Sequence, residues 1–462
     1  MTSLSIVTLL LIAYGALGRP GYGVALALGG ATAAGAAVVV GATAVPTFYA
    51  VSLGAAVGLV LSMIGSAFRR APRVASSPGV GLLVLFFAWS TLVTLVAPVI
   101  FDGTVVLAPG TGRRLLAGGF FTSSNIAQVV YLFLGVAVVA FLSRSPKAGP
   151  GLIGLAAGTT TVLSFWRYLH QYAGLPFPED FFDNSPAFAY IETAPQGIQR
   201  FRGILSEPAG LAVSCLVTVA YMVPRAVQLS GRRRAGALLI AGIAIFLGSV
   251  STSATFVVAG GIVTALALAT FGFDFLSRRV RLSGLVGVLA CGVVIALVWV
   301  LPLLASFVET TINQKVSSSS FNDRSFSDST SYDLLLSTFG FGVGLGANRA
   351  SSFLPGLLST TGIIGTLLFT AAVVTLVVRG GKVRRYRPVV WALVTLLVVK
   401  LVSGPDLSDS SGILWISLGL LSHAARLRRS GDALDLSGQL VRPGRNRLMQ
   451  SGQQLTTGGT TL

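Results

Sequence analysis

The sequence predicts an all-α polytopic integral membrane protein with about 13 transmembrane helices, in a range of about 12 to 14. Three observations carry that prediction. Only 10% of the 462 residues are charged, 53% are hydrophobic, and mean hydropathy is +0.81; a soluble domain of this length carries roughly 25% charged residues. Uncharged runs recur along the whole chain, many near the roughly 20 residues that a helix needs to cross the hydrocarbon core. Basic clusters fall between these runs in alternation. Backbone groups in lipid must be bonded internally, and runs apolar on every face achieve this as helices.

In order, the spans are expected at 3–18, 22–42, 46–67, 79–100, 124–143, 151–166, 208–224, 236–251, 254–273, 284–304, 352–378, 388–403 and 412–424. The first, MTSLSIVTLLLIAYGALG, has no basic n-region and reads as a span, not a cleaved leader. Clusters at Arg69–Arg73, Arg144–Lys147, Arg225–Arg234, Arg278–Arg281, Arg379–Arg387 and Arg426–Arg447 separate later spans. Residues 235–273 carry no charge and are interrupted by GSVSTSAT, Gly248 to Thr255. One helix of that length would overshoot the bilayer, so a tight hairpin or broken helix is expected.

The net charge of +18 is a topology signal. With the N-terminus outside, the basic clusters and Arg19 face the cytoplasm and hold 24 of the 33 Lys and Arg but 3 of the 15 acids. That asymmetry follows the positive-inside rule, so nucleic acid is not an expected partner. Cys215 and Cys291 lie in apolar runs, which argues against a stabilising disulfide. The chain divides into a membrane domain, 1–429, and a polar, Gly-rich tail, 430–462, expected to be disordered in the cytoplasm. Three outside loops are long: 101–123, 167–207 and 305–351. Such loops are usually functional or disordered, and the aromatics of 167–207 speak for function.

At the end of that loop stands RFRGILSEPAG, Arg200 to Gly210. Pro208 suits the first turn of a helix, and Glu207, the residue before it, avoids the α region. A helix should therefore start at the membrane surface with Glu207 at its positive end and Gly203 giving Arg202 room to turn inward. Glu207 could cap its own helix while Arg200 and Arg202 sit among headgroups. Alternatively the arginines bind an anion, since guanidinium presents a charged fork of donors to phosphate.

A second constellation runs from Phe321 to Ser352, FNDRSFSDSTSYDLLLSTFGFGVGLGANRASS. Glycines at 340, 342, 344 and 346 permit close backbone approach to a ligand, or helix packing. The string is neither a Walker loop nor GxGxxG. Arg324 and Arg349 flank it and are candidate anion ligands or interfacial anchors. His170, in RYLHQYAG, could accept a proton; His423 reads as structural, and Asp406 and Asp409 as solvated loop acids. The chain has no HExxH, DxD pair or Cys/His cluster, so chemistry without a bound metal or other cofactor is expected.

RFRGILSEPAGLA resembles a segment of the O-antigen polymerase and O-antigen ligase superfamily, Arg-x-x-Gly-x-x-x-Glu-Pro before a span; Arg200, Gly203, Glu207 and Pro208 fit its spacing. GFGVGLGANRASSFLPGLLSTTGIIGTLLF, Gly340 to Phe369, is similar to the family's Gly-rich loop end and Gly-Ile-Ile-Gly step. GSVSTSAT stands where the family has a Ser/Thr-rich break, without the arginine often found there. The matches lie within 200–370. ANRASSFL lacks the histidine that ligases carry after the glycines, which favours the polymerase branch.

The resemblance implies a GT-C-like membrane enzyme of the cytoplasmic membrane acting at its external face. Its substrates would be undecaprenyl-pyrophosphate-linked glycan donor and acceptor, and the reaction would lengthen a surface polysaccharide without a metal. It admits membrane lipid, a flippase and a chain-length regulator as further partners. Arg202, Arg324 and Arg349 would bind the pyrophosphate, with Arg200 the alternative to Arg202. Glu207 would be the general base, with His170 as second candidate. A ligase-like transferase is the nearest alternative. A lipid-linked oligosaccharide flippase or transporter is the other, disfavoured because the spans are almost free of charge, with Lys400 near a span end the one exception, whereas such paths are usually marked by ionisable residues inside the membrane.

Overall fold

A computed structural model describes residues 3–16, 21–33, 35–40, 43–68, 77–108, 112–186, 190–192, 199–278, 319–404 and 406–429. It is a helical membrane protein. Six described helices are long and apolar enough to cross a bilayer: α3 (Thr47–Phe68), α4 (Val80–Ile100), α5 (Ser123–Arg144), α8 (Pro208–Val227), α9 (Gly231–Val250) and α12 (Phe353–Gly380). Around them stand α1 (Ser3–Ala16), α2 (Gly23–Ala31), α6 (Gly151–Ala173), α7 (Glu179–Phe182), α10 (Ala254–Arg278), α11 (Ser319–Ser337), α13 (Arg387–Val402) and α14 (Ile413–Arg429). The last of these is the hub: Trp415 is fully buried, and Gly135 and Gly419 let α5 and α14 approach closely.

Several expected elements differ. Residues 22–42 do not form one spanning helix. The nine-residue α2 stops at Ala31, and the Val-rich remainder pairs as the antiparallel hairpin β1 (Ala36–Val40) and β2 (Thr43–Pro46). β-Branched valines favour strand over helix, and Gly29 and Gly30 weaken the helix before them. A second short hairpin, β3 (Val105–Ala108) with β4 (Gly112–Leu115), occupies the loop 101–123, and the described fold is otherwise helical, as expected of an all-α membrane protein. The sixth span runs to Ala173, two turns into the expected loop, and ends at Gly174 with φ +70. The Ser-rich run is helical over 319–337, its hydroxyls folding back on carbonyls one turn earlier, as Ser327 does on Asp323 and Ser331 on Ser327. The uncharged stretch 235–273 does break: α9 ends at Val250, and Thr252 takes φ +48 before α10. The span at 284–304 and the tail 430–462 lie outside the described residues.

Hydrogen bonds sort the linkers to two ends of the bundle. At one end Arg349 N–H reaches Leu107 O (2.8 Å), Gly404 N–H reaches Ser351 O (3.3 Å), and Arg200 reaches Thr252. At the other, Gln228 donates to Arg384 O (2.8 Å), Tyr386 to Ala148 O (3.0 Å) and Ser422 to Pro78 O (3.1 Å). The described basic linkers lie at this second end, and the described parts of the long loops at the first.

Candidate functional site

The long-loop end holds two groups of charged side chains. The first is built on α6 and the segment before α8. Arg202 follows Phe201 and precedes Gly203, whose φ is +59 and whose Cβ position is blocked by Ser164. That turn points Arg202 inward, where it is 3% exposed. Four hydrogen bonds hold it: Nε to Glu192 (2.8 Å), Nη1 to Asp183 (3.0 Å) and Leu205 O (2.7 Å), and Nη2 to Asp183 (2.5 Å). Burial disfavours its charge, but the bonded Asp183 and then Glu192 outweigh that, and its pKa is raised.

Arg167, on α6 and 6% exposed, grips the same carboxylates, with Asp183 at 2.9 Å, Glu192 at 3.3 Å and Glu179 at 3.5 Å. Tyr190 stacks its ring on the Arg202 guanidinium at 4.9 Å, and its oxygen accepts from Ser185 N–H. Burial raises the Tyr190 hydroxyl above its ordinary value. Two arginines against three carboxylates leave no excess of positive charge in this cluster. Sequence reading picked out Arg202 but passed over Arg167, Asp183 and Glu192. One signal was available: five of the chain's fifteen acids fall within 179–207.

The remaining candidates of this group surround the cluster. Arg200 is half-buried and bonds Thr252, Nε to Oγ1 and Nη2 to O, both at 3.3 Å. It thereby ties the loop to the α9–α10 break. His170 is joined to the cluster through Glu179, with Nε2 3.8 Å from Oε1. Its Nδ1 lies 2.5 Å from Leu175 O, a pure acceptor, so Nδ1 carries the proton of that bond and Nε2 is the basic nitrogen of the neutral ring. Glu207 is the N-cap residue of α8 in extended conformation, with Pro208 at the first helical position, as the sequence predicts. Its side chain makes no cap bond, is exposed, and pairs with no described residue.

The second group surrounds α12. The glycine string packs on the chain's own backbone. Gly340, Gly342, Gly344 and Gly346 all have positive φ. A Cβ on Gly344 would lie 2.8 Å from Thr94 Cα, and one on Gly346 2.6 Å from Ser124 O. α12 is broken at Gly362 (φ 70, ψ −174). The carbonyls this frees are taken by Val343 N–H on Ser359 (2.8 Å), Gly344 N–H on Thr360 (3.0 Å) and the Trp89 indole on Thr361 (2.9 Å).

Asn348 is a buried strut between Ser331, Ser359 and Leu107 N–H. Its neighbour Arg349 is exposed, and its guanidinium pairs with no described residue. Arg349 borders a cavity of about 230 Å³ whose polar wall includes Ser124, Gln128, Thr360 and Asp406 and whose apolar wall includes Phe353 and Leu357. Arg324, also exposed, sits one turn before Asp328 on α11. Asp328 in turn accepts from Ser351 N–H (2.7 Å) and Ser352 N–H (3.0 Å) at the start of α12. That contact ties α11 to the start of α12, with Arg324 one turn from it on α11 and Arg349 two residues before it in sequence.

Of the loop acids expected to be solvated, Asp406 is exposed, but Asp409 is 6% exposed. Asp409 caps α14, accepting from Leu414 N–H (2.8 Å) and Ser411 (2.7 Å). Gln128 and Asp406 belong to no local motif, and only the fold brings them to Arg349. Among the described residues no hydrogen bond or ion pair joins this group to the Arg202 cluster. No protein-family model matches the chain, and it matches no curated protein.

Proposed function

We propose that the chain is a membrane glycosyltransferase that polymerises undecaprenyl-pyrophosphate-linked oligosaccharide repeat units into a surface polysaccharide. It works at the external face of the cytoplasmic membrane, in a GT-C-like bundle of about 13 spans. One observation carries the reading: Arg349, unpaired among the described residues, borders a polar-walled cavity at the start of a transmembrane helix, at the end away from the basic linkers. A lipid pyrophosphate has its tail in the bilayer, so its head is met where spans begin. Arg324, one turn before the Asp328 that holds the start of α12, supplies a second guanidinium, unpaired among the described residues. Arg202 has too few open donors for that task and orders the loop instead.

In the reaction an acceptor sugar hydroxyl attacks the anomeric carbon of the lipid-linked donor. The bond from that carbon to the pyrophosphate oxygen breaks, and its electron pair leaves with undecaprenyl pyrophosphate. Arg349 and Arg324 stabilise the growing negative charge. The hydroxyl proton passes to Glu207, whose carboxylate is neither a cap nor a strut; His170 Nε2 is the second candidate.

Lipid-linked glycans from a deletion strain, resolved by size and membrane side, test the assignment. Single repeats accumulating on the outer face support a polymerase. Full-length polymer left on lipid assigns a ligase instead, and repeats stranded on the cytoplasmic face assign a flippase. In the complemented strain, Glu207→Gln should stop chain growth if Glu207 is the base, and His170→Ala should do so if His170 is.

A further inference from the structure

The segment 334–347, LLLSTFGFGVGLGA, carries no charge and is flanked by Asp333 and Arg349. It lies beside two transmembrane helices well below their ends. Gly344 meets α4 at Thr94, six residues before Ile100, and Phe341 packs edge-on against Trp89, eleven residues before it. Gly342 meets α12 at Gly362, ten residues past the N-cap. At 1.5 Å per residue, these contacts are roughly 9 to 16 Å inside the helix ends. The uncharged α4 has 21 residues, about 31 Å, which matches the hydrocarbon thickness.

Non-helical backbone at such depth must have its polar groups bonded. All seven N–H groups from Phe339 to Leu345 are: to Leu336 O, Leu335 O, Thr338 O, Thr338 Oγ1, Ser359 O, Thr360 O and Thr94 Oγ1 in turn. Yet Phe339 is 93% exposed and Leu336 74%, with Phe339 held at φ +51. Their surface continues into Ile363, Ile364 and Leu367 on the outer face of α12; Ile363 donates to Gly340 O and also limits the space at Gly340.

We propose that 334–347 is a re-entrant loop that dips into the bilayer from the long-loop end, with Leu336 and Phe339 seated among the acyl chains of that leaflet. Lipid covers this face because it is continuous with the lipid-facing side of a spanning helix, at the same depth. The strained φ of Phe339 is retained where the ring leaves water.

The test is a fluorescent thiol label on Phe339→Cys, with Cys215 and Cys291 replaced by alanine, in proteoliposomes. Leu367→Cys is the lipid reference and Ser329→Cys the aqueous one. The expected result is quenching by acyl-chain nitroxide lipids equal to that at Leu367, with none by iodide. Iodide quenching equal to that at Ser329 overturns the proposal. A label-free check in the otherwise unaltered chain compares Phe339→Leu with Phe339→Glu. Loss of folded, membrane-integrated protein for glutamate alone supports the loop's depth, and equal yields overturn it.

Discussion

Asp183 accepts both terminal nitrogens of Arg202, at 3.0 Å and 2.5 Å, while also receiving Arg167 from the neighbouring helix at 2.9 Å. The carboxylate is a clasp between α6 and the segment that starts α8. Arg202→Ala leaves the part-buried Asp183 and the more exposed Glu192 with one guanidinium instead of two. Hydrogen bonds to charged groups are worth about 1.5–3 kcal/mol, and solvent at Glu192 puts the loss at the lower end of that range. Thermal unfolding in detergent should show that loss, with faster proteolysis within 174–207. Arg202→Lys keeps the charge but not the fork and should fall between. An unchanged midpoint for Arg202→Ala would remove the clasp role.

Arg349→Ala should act differently, because its guanidinium holds nothing together among the described residues. Protein abundance and thermal midpoint stay at wild type, while polymer formation falls by about 10²- to 10³-fold if a charge-stabilising donor of about 2.7–4 kcal/mol is lost. Glycan chain length on gels, read beside immunoblotted protein, checks both halves. Wild-type chains in this variant would sink the anion role.

Gly344→Ala puts a methyl group 2.8 Å from Thr94 Cα at a φ of +94. Both the contact and the dihedral are backbone matters, which no rotamer change relieves. A dihedral of this kind alone costs about 1–3 kcal/mol. The seam between α4 and α12 should loosen, visible as a lower unfolding midpoint. Gly261→Ala on α10 has open space at its Cβ and is the matched control.

Asp409→Ala removes the acceptor for Leu414 N–H at the start of α14. Loss of such a cap costs about 0.5–2 kcal/mol, and Asp409→Asn should restore most of it. Unfolding midpoints of the two variants, compared with wild type, give the answer.

Much of this was legible in the residues. Pro208 after Glu207 marks a helix start by the preset φ of one residue and the steric restriction on the other, and α8 begins there. The break near Thr252 followed from length alone, since 39 uncharged residues exceed the bilayer. The serine-rich α11 was not legible: its low apolarity hides a helix that few breakers interrupt and that packs through Ser331, Leu334 and Thr338. Nor was the partner of Arg202. Glu207, five residues away, is the nearest acid in sequence, whereas Asp183 and Glu192 arrive through the fold of a loop. The end of α2 was missed because an apolar run reads alike as a buried strand or a helix.

The seam at Gly362 also bears on how the chain is made. Val343 and Gly344 leave the ribosome shortly before Ser359 and Thr360, whose carbonyls their N–H groups meet, so this pairing is local in sequence. The Trp89 indole, by contrast, waits for a carbonyl 272 residues later in the chain. The broken helix is thus sewn to its own preceding loop by contacts close in sequence, and to the distant α4 by one that spans most of the chain.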